Sequence, residues 1–149
     1  MSKKLVFAFQ IYISFFLLLP NYSLANSHSF KVIVNSSNTI DTIERGFLSG
    51  VFFKKIKQWP NGGYVQPVDL GPSSPAREAF SSKVLGRSVL GIKNFWQQLI
   101  FSGRDIPPPE FLSEDEVIKY VVKNKNAIGY VSGVEDGREI SGYKMIDIK

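Results

Sequence analysis

The chain has no cysteine and a single histidine, His28, among its 149 residues. These two absences remove most of nucleophilic and metal catalysis. A Cys–His pair or a Ser–His–Asp triad cannot be assembled, and zinc with the usual nitrogen and sulfur ligands has nothing to bind it. His28 lies close to the N-terminus, where order is weakest. Neither a Walker loop nor a dinucleotide fingerprint is present. Glu114-Asp115-Glu116 is a carboxylate run, but it opens a predicted helix, where acids favour the helix dipole. We expect no catalytic residue, no metal, no cofactor and no enzyme activity. Without cysteine there is also no disulfide framework and no lipobox for a lipid anchor.

Only one stretch is long and apolar. Lys3 and Lys4 precede Leu5–Leu19, which is interrupted only by Gln10 and Ser14 and ends at Pro20-Asn21. Ser23-Leu24-Ala25 then places small residues at a cleavage position, which completes a secretory signal. The run is shorter than the ~20 residues a bilayer span requires. Residues 1–25 are therefore predicted to be a signal peptide cut after Ala25, leaving 26–149 as one periplasmic domain with no stable membrane anchor. Loss of Lys3 and Lys4 takes the net charge from +5 to about +3. That balance suits a small anion and falls short of a nucleic-acid footprint.

Strand and helix signals alternate along the rest. Phe30–Val34 reads as a strand. Asp41-x-x-Glu44 reads as a capping-box variant for a helix carrying Ile43, Phe47 and Val51, in which Gly46 and Gly50 imply close packing. Tyr64–Val68 is a short strand that Pro67 assigns to an edge. Ser74 with Pro75 opens a helix along Ala76, Phe80 and Val84 that Gly86 stops. Another runs from Ser88 to Gly103, with Phe95, Trp96 and Phe101 in the core. Pro107-Pro108-Pro109 is a stiff connection, and Ser113-x-x-Glu116 is a full capping box. Ala127–Val131 is an interior strand. Tyr143–Ile148 alternates and is expected at an edge, open to weak self-association. This is an α/β domain.

The segment richest in chemistry is Ser73-Ser74-Pro75-Ala76-Arg77. A helix start offers unpaired N–H groups and a positive dipole end. Two hydroxyls stand in the cap loop, the Ala76 amide follows Pro75, and Arg77 is able to add a charge-assisted fork. The spacing by itself favours plain capping, with Ser74 serving its own helix and Arg77 in solvent. Ser102-Gly103-Arg104 is able to bring a second guanidinium to a loop, but its ordinary reading is a Gly-stopped helix with a surface arginine. Lys54-Lys55-x-Lys57 before Trp59 reads as a solvated helix end.

The order of these motifs resembles that of the substrate-binding proteins of phosphate ABC transporters, in a short single-lobe form. Leu48–Ile56 with Trp59 is similar to the family's I-F-x-G-K-I-x-x-W. Val68-Asp69 and a Ser/Pro loop into Arg77-Glu78-Ala79-Phe80, then Trp96, Ser102-Gly103-Arg104 and the proline run, follow in order. Ala127-Ile128-Gly129-Tyr130-Val131 is similar to G-x-I-G-Y. The resemblance implies one lobe of a type 2 periplasmic-binding-protein-like fold, a mixed sheet flanked by about four helices. It implies non-catalytic recognition of a small oxyanion, phosphate first, with an ABC permease as a partner. The implied ligand residues are Ser73, Ser74, Ala76, Arg77 and Arg104. Ser74 matches the serine of the family's Ser-Gly-Thr loop, while Pro75 and Ala76 stand in place of its glycine and threonine. The alternative expectation is an envelope interaction module that kept the lobe and lost its ligand.

Overall fold

The computed structural model describes residues 29–133 and 141–149; the signal-peptide segment and His28 lie outside these. Among the described residues seven strands and four helices follow in the order β1 (Phe30–Asn35), β2 (Thr42–Ile43), α1 (Arg45–Phe52), β3 (Gln66–Pro67), β4 (Asp69–Leu70), α2 (Pro75–Phe80), α3 (Val89–Phe101), β5 (Glu110–Phe111), α4 (Glu114–Lys123), β6 (Ala127–Ser132) and β7 (Tyr143–Ile148). A π-helical turn, Ser81–Leu85, extends α2 to Gly86. Among the described residues no helix is long and apolar enough to cross a membrane.

A five-stranded mixed sheet, ordered β2-β7-β1-β6-β3, forms the centre. β1 runs antiparallel to both β6 and β7, with Val32 opposite Tyr130 on one side and Ile146 on the other. Successive residues of β6 address opposite faces. Tyr130 meets the Phe80 ring at 4.0 Å and the Phe52 ring at 5.9 Å, so α1 and α2 cover its face. A Cβ on the neighbouring Gly129 would lie 2.7 Å from Val117 and 3.0 Å from Val68, so α4 covers the other face so closely that no side chain fits. Both faces of β1 and β6 are thus buried, which explains their near-continuous apolar runs. The arrangement is α/β, a mixed sheet with four helices, as expected.

Local signals explain most element boundaries. Ser74, Ser88 and Ser113 all cap as expected, Ser113 through a complete capping box with Glu116. Four expectations are corrected. Asp41-x-x-Glu44 is no capping box: Thr42–Ile43 pairs with β7, and α1 begins at Arg45 without a side-chain cap. Tyr143–Ile148 is not an edge strand, because β1 and β2 flank it. Phe101 is not core but 88% exposed, since the last turn of α3 runs out into solvent. Close packing applies at Gly50, where a Cβ would meet Ile56 at 2.7 Å, but not at Gly46, which faces open space.

Candidate functional site

The site is built on an element that no periodicity announced. β4 and β5 form a separate two-residue parallel ladder, Asp69 opposite Glu110 and Leu70 opposite Phe111. Each strand runs directly into a helix start, β4 through Gly71–Ser74 into α2 and β5 through Leu112–Ser113 into α4. Two helix N-termini therefore open at one end of the ladder, an end at which parallel strands commonly carry ligands. The Gly71 N–H donates to the Phe111 carbonyl at 2.9 Å, and Leu112, 92% exposed, lies beside Gly71.

At this end Ser73 is exposed and Ser74 half-buried. The Ser74 hydroxyl accepts from the Arg77 N–H at a long 3.4 Å, and the Ser74 carbonyl accepts the Glu78 N–H at 3.1 Å. Ala76 is buried at the second helical position, where an N–H has no acceptor within its own helix. Pro75 contributes no donor.

Arg77 does not lie in solvent. It is 3% exposed and turns inward beneath the loop. Nη1 pairs with the Asp69 carboxylate and donates to the Leu70 carbonyl at 2.9 Å, with Glu110 at 3.5 Å. Tyr130, fully buried, donates its hydroxyl to the other Asp69 oxygen, and the Leu70 N–H donates to Asp69 at 3.0 Å. Burial acts on the pair against their contact. It pushes the Asp69 carboxyl up and, as the largest single influence, acts to lower the guanidinium, while Asp69 together with Tyr130 and Glu110 holds Arg77 above its ordinary value. A guanidinium keeps its proton in proteins, so Arg77 is the cationic partner of this contact. Burial first, then the Asp69 charge, push the Tyr130 phenol far above its ordinary value.

Arg104 is placed elsewhere. It is exposed, on the loop that enters the ladder through Pro107–Pro109, and the Pro109 carbonyl accepts the Asp69 N–H at 2.9 Å. Because β4 and β5 are parallel, that loop lies at the amino end of the ladder and Ser73–Ser74 at the carboxyl end. Ser73, Ser74, Ala76 and Arg77 are brought together; Arg104 is not among them.

The remaining ionic surroundings are acidic. Glu114 accepts from the Ser132 N–H at 2.9 Å and its hydroxyl at 3.0 Å, and Glu116 closes the capping box of α4. Sequence reasoning met Asp69 and Tyr130 only inside motifs and gave neither a role at the site. Signals for both were present: an acid between Val68 and Leu70, and a phenol inside a fully apolar strand, each demanding a polar partner once buried.

No family model and no curated protein matches the sequence. Solved structures do match. An ABC-type phosphate transport receptor from Vibrio cholerae superposes with a TM-score of 0.59 at 19% identity, over 81% of this chain and 46% of that one. PstS from Borrelia burgdorferi superposes with a TM-score of 0.62 at 13% identity, over 82% of this chain and 47% of that one. The chain has the fold of a single periplasmic-binding-protein-like lobe. It spans a little under half the length of these structures, and at such identities the likeness is one of fold. Within the lobe, the ladder and its two helix starts are the place where side chains and free amides converge.

Proposed function

We propose that the protein is a non-catalytic, exported solute-binding lobe that recognises a small oxyanion, phosphate first, at the β4–α2 loop. One observation carries the reading: in a lobe shared with phosphate-binding proteins, the exposed Ser73 and half-buried Ser74 stand over the N-terminus of α2. The Ser73 and Ser74 hydroxyls and the Ala76 amide are the proposed donors. Arg77 acts from behind as a positioning residue, tying the Leu70 carbonyl and Asp69 beneath the loop. Its positive charge is matched by Asp69, so the ligand gains little Coulomb attraction from it. Three donors to a charged oxyanion at ~1.5–3 kcal/mol each, set against the cost of association, leave affinity no better than about millimolar. Export through residues 1–25 and delivery to an ABC permease belong to the same proposal.

The test is a phosphate titration of the mature chain followed by NMR. Saturable shifts confined to Ser73–Arg77, lost in Ser73→Ala/Ser74→Ala, are expected. Shifts scattered over the surface without saturation would sink the proposal. A second reading, an interaction surface for an envelope protein, is favoured by Leu112, which stands exposed beside the loop. A phosphate-insensitive loop whose amides respond to a periplasmic extract supports that reading instead.

A further inference from the structure

A cleft of about 210 Å³ opens on the far side of β3, between the segment that leaves α1 and the loop around Asp105. It shares no residue with the β4–α2 loop. Its floor is apolar, made by Val51, Ile56, Val65 and Pro67. Its charged groups are two lysines and one acid: Lys54 Nζ stands 4.0 Å and Lys57 Nζ 3.9 Å from the Asp105 carboxylate. Both contacts are at the outer limit of ion pairing, and one carboxylate between two ammoniums leaves a positive charge in excess. Asp105 is held by its own loop, through a 2.8 Å hydrogen bond from the Ile106 N–H. An incoming anion therefore meets both ammoniums without breaking a short hydrogen bond. Arg104, exposed on the same loop, adds to the positive potential. Tyr64, 69% exposed, stands at the rim as a flat apolar wall.

The backbone supplies an independent observation. Lys54 has φ +56°, and among the described residues it is the one non-glycine with positive φ. The Gly50 carbonyl accepts the N–H groups of both Lys55 and Ile56 at 2.8 and 3.0 Å, so the turn demands this left-handed residue. Glycine ordinarily takes such a position. A lysine kept there in strain, with its ammonium directed to the cleft, points to a side chain in use.

We propose that this cleft is a second ligand site, for a small organic anion whose charged head lies between Lys54 and Lys57 and whose short apolar body rests on Ile56, Val65 and Pro67. The charge excess selects an anion. The apolar floor selects against a bare inorganic one, which would leave that floor wet and gain only the head-group contact.

The test uses the mature chain, 15N-labelled, titrated separately with phenyl phosphate, benzoate, inorganic phosphate and benzyl alcohol. Saturable shifts at residues 54–57, 64–65 and 104–105 are expected with phenyl phosphate or benzoate, and which of the two binds tighter identifies the head group. Inorganic phosphate and benzyl alcohol, each carrying one feature alone, bind the cleft at least about tenfold more weakly. Lys57→Gln, at an exposed side chain, weakens organic-anion binding by about tenfold, and Asp105→Asn tightens it. Lys54→Asn keeps a residue tolerant of positive φ and weakens binding likewise. Equal affinity for inorganic phosphate, no saturation, or an unchanged Lys57→Gln overturns the proposal. Shifts at Ser73–Arg77 alone also overturn it, and they leave the β4–α2 reading standing.

Discussion

At the scale of single residues, Arg77 and Asp69 decide how the β4–α2 loop is held. A buried guanidinium paired with Asp69, with Glu110 farther off at 3.5 Å, does not tolerate loss of that pairing from either side. Arg77→Ala leaves the buried Asp69 carboxyl without its cationic partner, held only by the Leu70 N–H and the Tyr130 hydroxyl. The expected cost is about 3–5 kcal/mol of folding stability. The control Lys119→Ala, on the exposed side of α4, is expected within about 0.5 kcal/mol of the parent. Urea unfolding measures both, and equal midpoints for the two variants would mean that Arg77 does not hold the loop. A sequence reading places Arg77 outside because arginine one turn into a helix is ordinarily solvated. Its inward turn depends on Asp69, which precedes it on another element, and no helical spacing reports that pairing.

At the scale of elements, what was legible follows the strength of the local signal. β1, β6, α4 and the serine caps rest on long apolar runs or on cap residues with a fixed spacing, and they form as those signals direct. The β4–β5 ladder has two residues per strand, too short for any period, and it exists because the chain re-enters beside Asp69 after α3. That Ser73 to Arg77 gather at a helix start was readable; the separation of Arg104 from them was not, because it depends on strand direction. Glycines divide in the same way. Gly129→Ala forces a methyl to 2.7 Å from Val117 and 3.0 Å from Val68, between α4 and the sheet. Overpacking of that kind costs about 1–3 kcal/mol. Gly46→Ala, with nothing within 4 Å, gains up to about 1 kcal/mol from helix propensity alone. Thermal melts of the two variants moving in opposite directions confirm this assignment, and a shared direction contradicts it.

At the scale of the whole molecule, the buried phenol couples folding to alkaline pH. Tyr130 is fully buried, and burial together with the neighbouring Asp69 charge raises its folded-state pKa far above the ordinary value of 10.0. In the unfolded chain the same phenol ionises near that ordinary value. A group with a raised folded pKa contributes stability that is complete below the unfolded pKa, and that contribution is lost as pH rises beyond it. Below pH 10 both states hold the proton and Tyr130 adds no pH dependence. Above it the unfolded state alone releases the proton, so stability falls by about 1.4 kcal/mol per pH unit on account of this one residue. Tyr130→Phe removes the proton from both states. It also removes the hydrogen bond to Asp69, so the variant starts about 1–3 kcal/mol less stable at neutral pH. The two stability curves are therefore expected to lie parallel from pH 7 to about 9.5 and to converge above 10, the parent losing its advantage as the pH rises. Urea unfolding of parent and variant at stepped pH measures the difference, and absorbance at 295 nm shows whether one phenol titrates only as the chain unfolds. Curves that stay parallel through pH 11 would mean that Tyr130 ionises in place, and the closed Asp69–Arg77–Tyr130 cluster would have to be abandoned.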